Sequence, residues 1–102
     1  TTAEGTKAID ELRARAKATT RGETGSYSLD DICDEWAREF YFEGIRRPTL
    51  IRFGRYGGNN NYNWSWKGNA ETGKNFDSHL NIFPIPVGEL NANSNLQQNP
   101  GY

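Results

Sequence analysis

Ala8, Ile9, Leu12 and Ala16 recur at helical spacing near the start of the chain, and Glu4, Lys7, Glu11, Arg15 and Lys17 cover most of the other faces. This pattern predicts a first helix over about residues 3–18. Thr20-Arg21-Gly22-Glu23-Thr24-Gly25 follows with two glycines and no apolar side chain, and reads as a loop. A second, sharper stripe is formed by Leu29, Ile32, Cys33, Trp36, Ala37 and Phe40. Ser28 precedes it as an N-cap with Asp31 three residues on, a capping-box pair that also sets Asp30 and Asp31 at the positive end of the helix. Gly44 stands where a left-handed C-cap residue belongs, so the second helix is expected over about residues 28–43.

Pro48 biases Arg47 away from helical geometry, and a short third helix is expected over about residues 48–53, with Thr49 as its cap and Gly54 as its stop. From residue 54 to 102 the pattern weakens. Tyr62-Asn63-Trp64-Ser65-Trp66 alternates aromatic and polar, which predicts a short extended segment. Pro84 and Pro86, two residues apart, exclude a helix interior and a central strand around Ile82–Ile85. Val87 to Asn91 has room for one helical turn. The fold class expected is mainly α with an irregular, loop-rich C-terminal half.

Composition changes this picture in one respect. Leu, Ile, Val and Phe number 18 of 102 residues, few for a filled core. The net charge is only −1, so disorder is not implied, and eight Tyr and Trp residues add apolar area. The expectation is an ordered, core-poor chain that finishes its burial against something larger. The near-neutral charge gives no footprint for nucleic acid or anionic lipid. One cysteine, Cys33, excludes an internal disulfide, and one histidine, His79, excludes a histidine metal cluster. No cofactor is implied. The chain carries no Met, signal-like h-region or spanning segment at its start, and Thr1 reads as a processed or cut end just ahead of a helix.

Several segments together resemble the SusD/RagB family of nutrient-capture lipoproteins. They are Ile9-Asp10-Glu11-Leu12-Arg13-Ala14-Arg15-Ala16, the run from Asp34 to Arg47 (DEWAREFYFEGIRR), Leu50-Ile51-Arg52-Phe53-Gly54, Ile82-Phe83-Pro84-Ile85-Pro86 with Glu89-Leu90-Asn91-Ala92-Asn93, and the closing Asn95-Leu96-Gln97-Gln98-Asn99-Pro100-Gly101-Tyr102. Five pieces in order are specific where one would not be. Pro48-Thr49 and Trp36 depart from the family pattern without disturbing it. The resemblance implies that residues 1–102 are the C-terminal segment of a longer α-helical protein whose remaining N-terminal part carries tetratricopeptide-type repeats. It further implies a binding protein rather than an enzyme, anchored by lipid at the surface of the outer membrane. Such a protein captures a nutrient ligand, an oligosaccharide or polysaccharide first of all, with starch, another glycan or even peptide left open, and works as a lid over a TonB-dependent transporter of the SusC type. The lipid-bearing Cys would lie outside this segment, because Cys33 falls within a helix.

Three groups of residues could carry chemistry. Tyr62, Trp64 and Trp66, sharing one face of an extended chain, could stack on pyranose rings while Asn61, Asn63 and Lys67 serve hydroxyl groups. The competing reading has the same aromatics completing the core, and it is the stronger of the two. The acidic run on the second helix could suggest a glycosidase pair or a calcium site, but its spacing matches no calcium loop. Glu39 and Glu43 are better read as structural ion-pair partners of Arg46, Arg47, Arg52 or Arg55. Asp77-Ser78-His79 has triad residue types, but neighbours in one loop cannot form the relay. A self-contained carbohydrate-binding module around Tyr62–Trp66 and a glycosidase fragment using Glu35 remain as alternatives.

Overall fold

The structure, a computed structural model, describes residues Thr1–Tyr102. The chain divides into two compact units, Thr1–Thr49 and Leu50–Tyr102. It contains helices and no strand; the only β-type pairing is an isolated parallel bridge between Gly57 and Phe76. No helix is long and apolar enough to cross a membrane.

In the first unit, α1 runs from Ala3 to Arg15. Thr2 opens it, its hydroxyl accepting from the Gly5 N–H at 3.1 Å. The helix ends about three residues earlier than its apolar pattern predicts, and the local hydrogen bonds say why. Lys17 takes a left-handed conformation (φ 56°), its N–H donates to Ala14 O, and the Ala18 N–H donates to Arg13 O. That pair of bonds is the Schellman closure, here with a lysine where glycine is usual.

Helix α2 spans Leu29–Glu39. Both halves of the expected capping box form: the Asp31 N–H donates to Ser28 Oγ at 3.1 Å, and the Ser28 N–H donates to Asp31 Oδ2 at 2.8 Å. The C-terminal expectation is corrected. α2 stops at Glu39, with Phe40 as its cap, and the first left-handed residue is Phe42 (φ 66°) rather than Gly44. Phe40-Tyr41-Phe42 are three successive aromatics, which lose side-chain freedom against the preceding helical turn. The Tyr41 and Phe42 rings meet edge to face at 4.7 Å just beyond the helix.

Tyr27, buried before α2, ties the unit together. Its hydroxyl donates to Asp10 of α1, and the two Asp10 oxygens accept from the N–H groups of Arg21 and Gly22 at 3.0 and 2.9 Å. One carboxylate thereby orders the polar loop between the helices. Cys33 is fully buried, as a mid-helix position on the apolar stripe requires. The apolar residues with this degree of burial are just Tyr27, Cys33 and Leu50, whereas Leu29, Tyr41 and Phe42 are 64%, 75% and 89% exposed. The chain is core-poor as its composition implies.

α3 covers Arg46–Arg52, two residues earlier than expected. Pro48 sits in its first turn, where no N–H is needed by the helix ladder, so it starts the helix without excluding Arg47 from it. Thr49 is correspondingly inside α3 and buried, not its cap. Gly54 ends the helix as expected: it is left-handed (φ 66°), its N–H donates to Ile51 O, and the Arg55 N–H donates to Leu50 O.

In the second unit, short 3₁₀ turns at Lys67–Asn69 and Ser78–Asn81 and the single helix α4, Val87–Ala92, punctuate irregular chain. The closing residues strap the proline-rich segment by side chains. Gln98 accepts from the Ile85 N–H at 2.8 Å and donates to the Ile85 carbonyl at 2.9 Å. Asn99 donates to Phe83 O, the Tyr102 hydroxyl donates to Ile82 O, and the Tyr102 ring meets His79 edge to face at 4.9 Å. Side-chain amides thus do what a β-ladder would do for a segment whose prolines forbid one. Gln98→Ala, which strands both polar groups of Ile85, is expected to cost about 2 kcal/mol in urea unfolding of the full-length protein. Gln98→Glu should cost at least as much, since a carboxylate cannot donate to the Ile85 carbonyl; equal midpoints for all three proteins would discount the strap.

Candidate functional site

The chain from Gly57 to Phe76 closes on itself. At its base the Gly58 N–H donates to Phe76 O at 2.9 Å, the Gly57 N–H donates to Asn81 Oδ1 at 2.9 Å, and Asn75 donates to Asn59 at 2.7 Å. A Cβ on Gly57 would lie 2.7 Å from the Asp77 carbonyl, so this close approach requires glycine. Within the loop the N–H groups of Lys67, Asn69 and Lys74 donate to the carbonyls of Trp64, Trp66 and Lys67, all at 3.0 Å.

At the centre lies Lys67, only 1% exposed. Its ammonium donates to Tyr62 O at 3.1 Å and stands 5.0 Å from the Trp64 ring centroid and 5.2 Å from that of Phe76. No carboxylate pairs with it, and burial lowers its pKa from the ordinary lysine value. The cation is held by a carbonyl and two aromatic faces. Tyr62 packs edge to face on Trp64 at 6.4 Å, and Trp64 on Phe76 at 6.2 Å.

This arrangement corrects two expectations. Tyr62–Trp66 is not an extended segment with three rings on one face. Trp66 is left-handed (φ 68°, ψ 5°) at the turn into the 3₁₀ element, which breaks the alternation. Tyr62 and Trp64 meet edge to face within the loop, Trp64 with 40% of its surface exposed, while Trp66 stands 66% exposed. Lys67 does not face solvent to serve hydroxyl groups; Asn61 and Asn63 are exposed. Nothing in the sequence signals the burial of Lys67 beyond its place in an aromatic-rich run.

The ion pairs also differ from those expected. Glu39 meets Arg15 of α1 at 2.5 Å, not Arg46 or Arg47. Glu43 is exposed without a salt bridge, because α2 stops before it and does not carry it on the helix face. Arg46 donates to the Cys33 carbonyl at 2.7 Å and stands 3.9 Å from Asp34, and Arg52 is exposed in the last turn of α3. The buried hub is Glu35, which accepts from Arg13 at 2.7 Å and from Arg38 at 2.8 and 3.1 Å. Burial alone would raise its pKa, but the hydrogen bonds from Arg38 and Arg13 outweigh that and hold it below the ordinary glutamate value. Sequence spacing could not find the Arg13–Glu35 contact, since its two helices meet only in three dimensions, whereas Arg38 lies three residues on in α2.

No group of three or more His, Cys, Asp or Glu side chains is disposed to hold a metal ion. A carboxylate that arginines keep ionised cannot serve as a general acid at neutral pH. What the chain offers is a helical scaffold, exposed aromatic side chains and a closed aromatic loop.

The chain matches the SusD family over residues 1–102, and it belongs to that family. It is 48% identical over 94 residues to the starch-binding protein SusD of Bacteroides thetaiotaomicron, a match covering 92% of this chain and 16% of that protein. The chain therefore spans about a sixth of the length of this relative.

Proposed function

We propose that this chain is the C-terminal segment of a glycan-binding lipoprotein at the surface of the outer membrane, which delivers oligosaccharide to a SusC-type TonB-dependent transporter and is not an enzyme. The observation that carries this reading is family membership along the whole chain, together with a relative whose name is that of a starch-binding protein. Among glycans, an α-linked glucan is the first candidate for the same reason. The exposed apolar side chains Trp36, Phe40, Tyr41 and Phe42, which with Ala37 and Ile45 line a groove in the first unit, favour docking onto the remaining N-terminal part of the protein over a self-contained binding module. Against a glycosidase fragment stands Glu35, engaged by two arginines.

Isothermal titration with maltoheptaose tests the reading. The full-length protein is expected to bind, and residues 1–102 alone to bind far more weakly and to unfold without a cooperative transition. Binding of equal strength by the 102-residue segment would favour the module. Absence of binding to maltoheptaose, xylohexaose and mannohexaose alike would overturn the glycan reading.

A further inference from the structure

We propose that Trp66 by itself, at the tip of the Gly57–Phe76 loop, is a stacking platform for one pyranose ring of a bound glycan. This rests on the glycan-binding reading above and deepens it. A bulky residue at φ 68° is held in a conformation that L side chains avoid, and such strain persists only where the surroundings impose it. Here the surroundings are explicit. The next residue, Lys67, is buried under Trp64 and Phe76, and the Trp66 carbonyl is engaged by the Asn69 N–H. The loop therefore drives Lys67 inward and leaves the indole outside.

The neighbours of that indole in the chain are polar. Asn63, Ser65, Asn69 and Glu71 are all exposed, and the Glu71 backbone carbonyl accepts from the Trp66 N–H at 3.3 Å. One flat apolar face with amide, hydroxyl and carboxylate groups near it in the chain matches a pyranose, which presents an apolar C–H face and a rim of hydroxyl groups. The aromatic groove of the first unit differs: Trp36, Phe40, Tyr41 and Phe42 line it together as a contiguous apolar surface rather than a single ring, as a protein contact would have it.

The test uses the full-length protein with three variants, Trp66→Ala, Trp66→Phe and Trp66→Asn, titrated with maltoheptaose, xylohexaose and mannohexaose. For whichever of these the unmodified protein binds, Trp66→Ala and Trp66→Asn are expected to weaken binding roughly tenfold and Trp66→Phe less. Asn tolerates the left-handed conformation, so Trp66→Asn should match or exceed the parent Tm while still losing affinity, a split that a purely structural tryptophan would not give. Unchanged affinity in Trp66→Ala and Trp66→Asn, with the parent binding normally, would overturn the platform and leave the glycan reading intact. If the parent binds none of the three probes, the glycan reading falls and the platform falls with it.

Discussion

Replacing Glu35 by glutamine is expected to destabilise the protein by about 3 kcal/mol at neutral pH, because it leaves Arg13, with a side chain only 20% exposed, facing an uncharged amide across the junction of α1 and α2. Glu39→Gln, on a pair whose arginine is 65% exposed, should cost about 0.5 kcal/mol or less. The comparison separates burial from mere proximity, since both glutamates contact an arginine of α1. Acid titration of stability checks the same point independently. The folded-state pKa of Glu35 is depressed, and that of Asp31 falls to about 2 because the Ser28 hydroxyl and N–H and the Arg21 side chain bind its charged form. Depressed carboxylates contribute stability above their unfolded pKa values and lose it as pH falls through the folded ones. The urea midpoint should therefore decline from roughly pH 5 to roughly pH 2, and Glu35→Gln should flatten part of that slope. A variant that unfolds like the parent at pH 7 would remove Glu35 from its central position.

Gly73→Ala is expected to cost about 3 kcal/mol or more, the sum of a left-handed penalty and a steric one. Gly73 has φ 75°, and a Cβ there would lie 2.4 Å from the Trp64 carbonyl oxygen and 3.0 Å from Asn63 Cβ, atoms of chain that cannot swing aside. Gly22→Ala is the matched control. Its φ is 72°, but a Cβ would meet nothing within 4 Å, so it should show the conformational penalty alone, about 1 kcal/mol. Urea unfolding of the full-length protein gives both values, and hydrogen exchange across residues 62–76 should report the Gly73 effect as local loosening around Lys67. Equal costs at the two glycines would mean that the loop can open at Gly73 without strain.

Features decided by neighbours in sequence were legible. The Ser28–Asp31 capping box joins residues three apart, and Gly54 closes α3 through bonds to the turn before it. The ends of α1 and α2 were less so. Their apolar stripes continue past Arg15 and Glu39, but Lys17 and Phe42 adopt left-handed conformations that periodicity does not encode. For the candidate site, the aromatic residues of the loop were visible and their arrangement was not. Alternation suggested three rings on one face, whereas burial of Lys67 turns the chain at Trp66 and leaves two rings in mutual contact and the third the most exposed.

By itself the sequence determined that the chain is helical with an irregular second half, that it lacks the cysteine and histidine groupings of metal sites, and that it belongs to the SusD family. These depend on composition, on contacts within one helical turn and on ordered motifs, all of which are linear information. Tertiary structure alone decided that Arg13 of α1 joins Arg38 on Glu35, how Gln98 clamps Ile85 thirteen residues away, and which tryptophan is the most exposed. Each of those outcomes depends on groups brought together from distant positions, where burial and hydrogen-bond geometry, rather than residue type, select the partner.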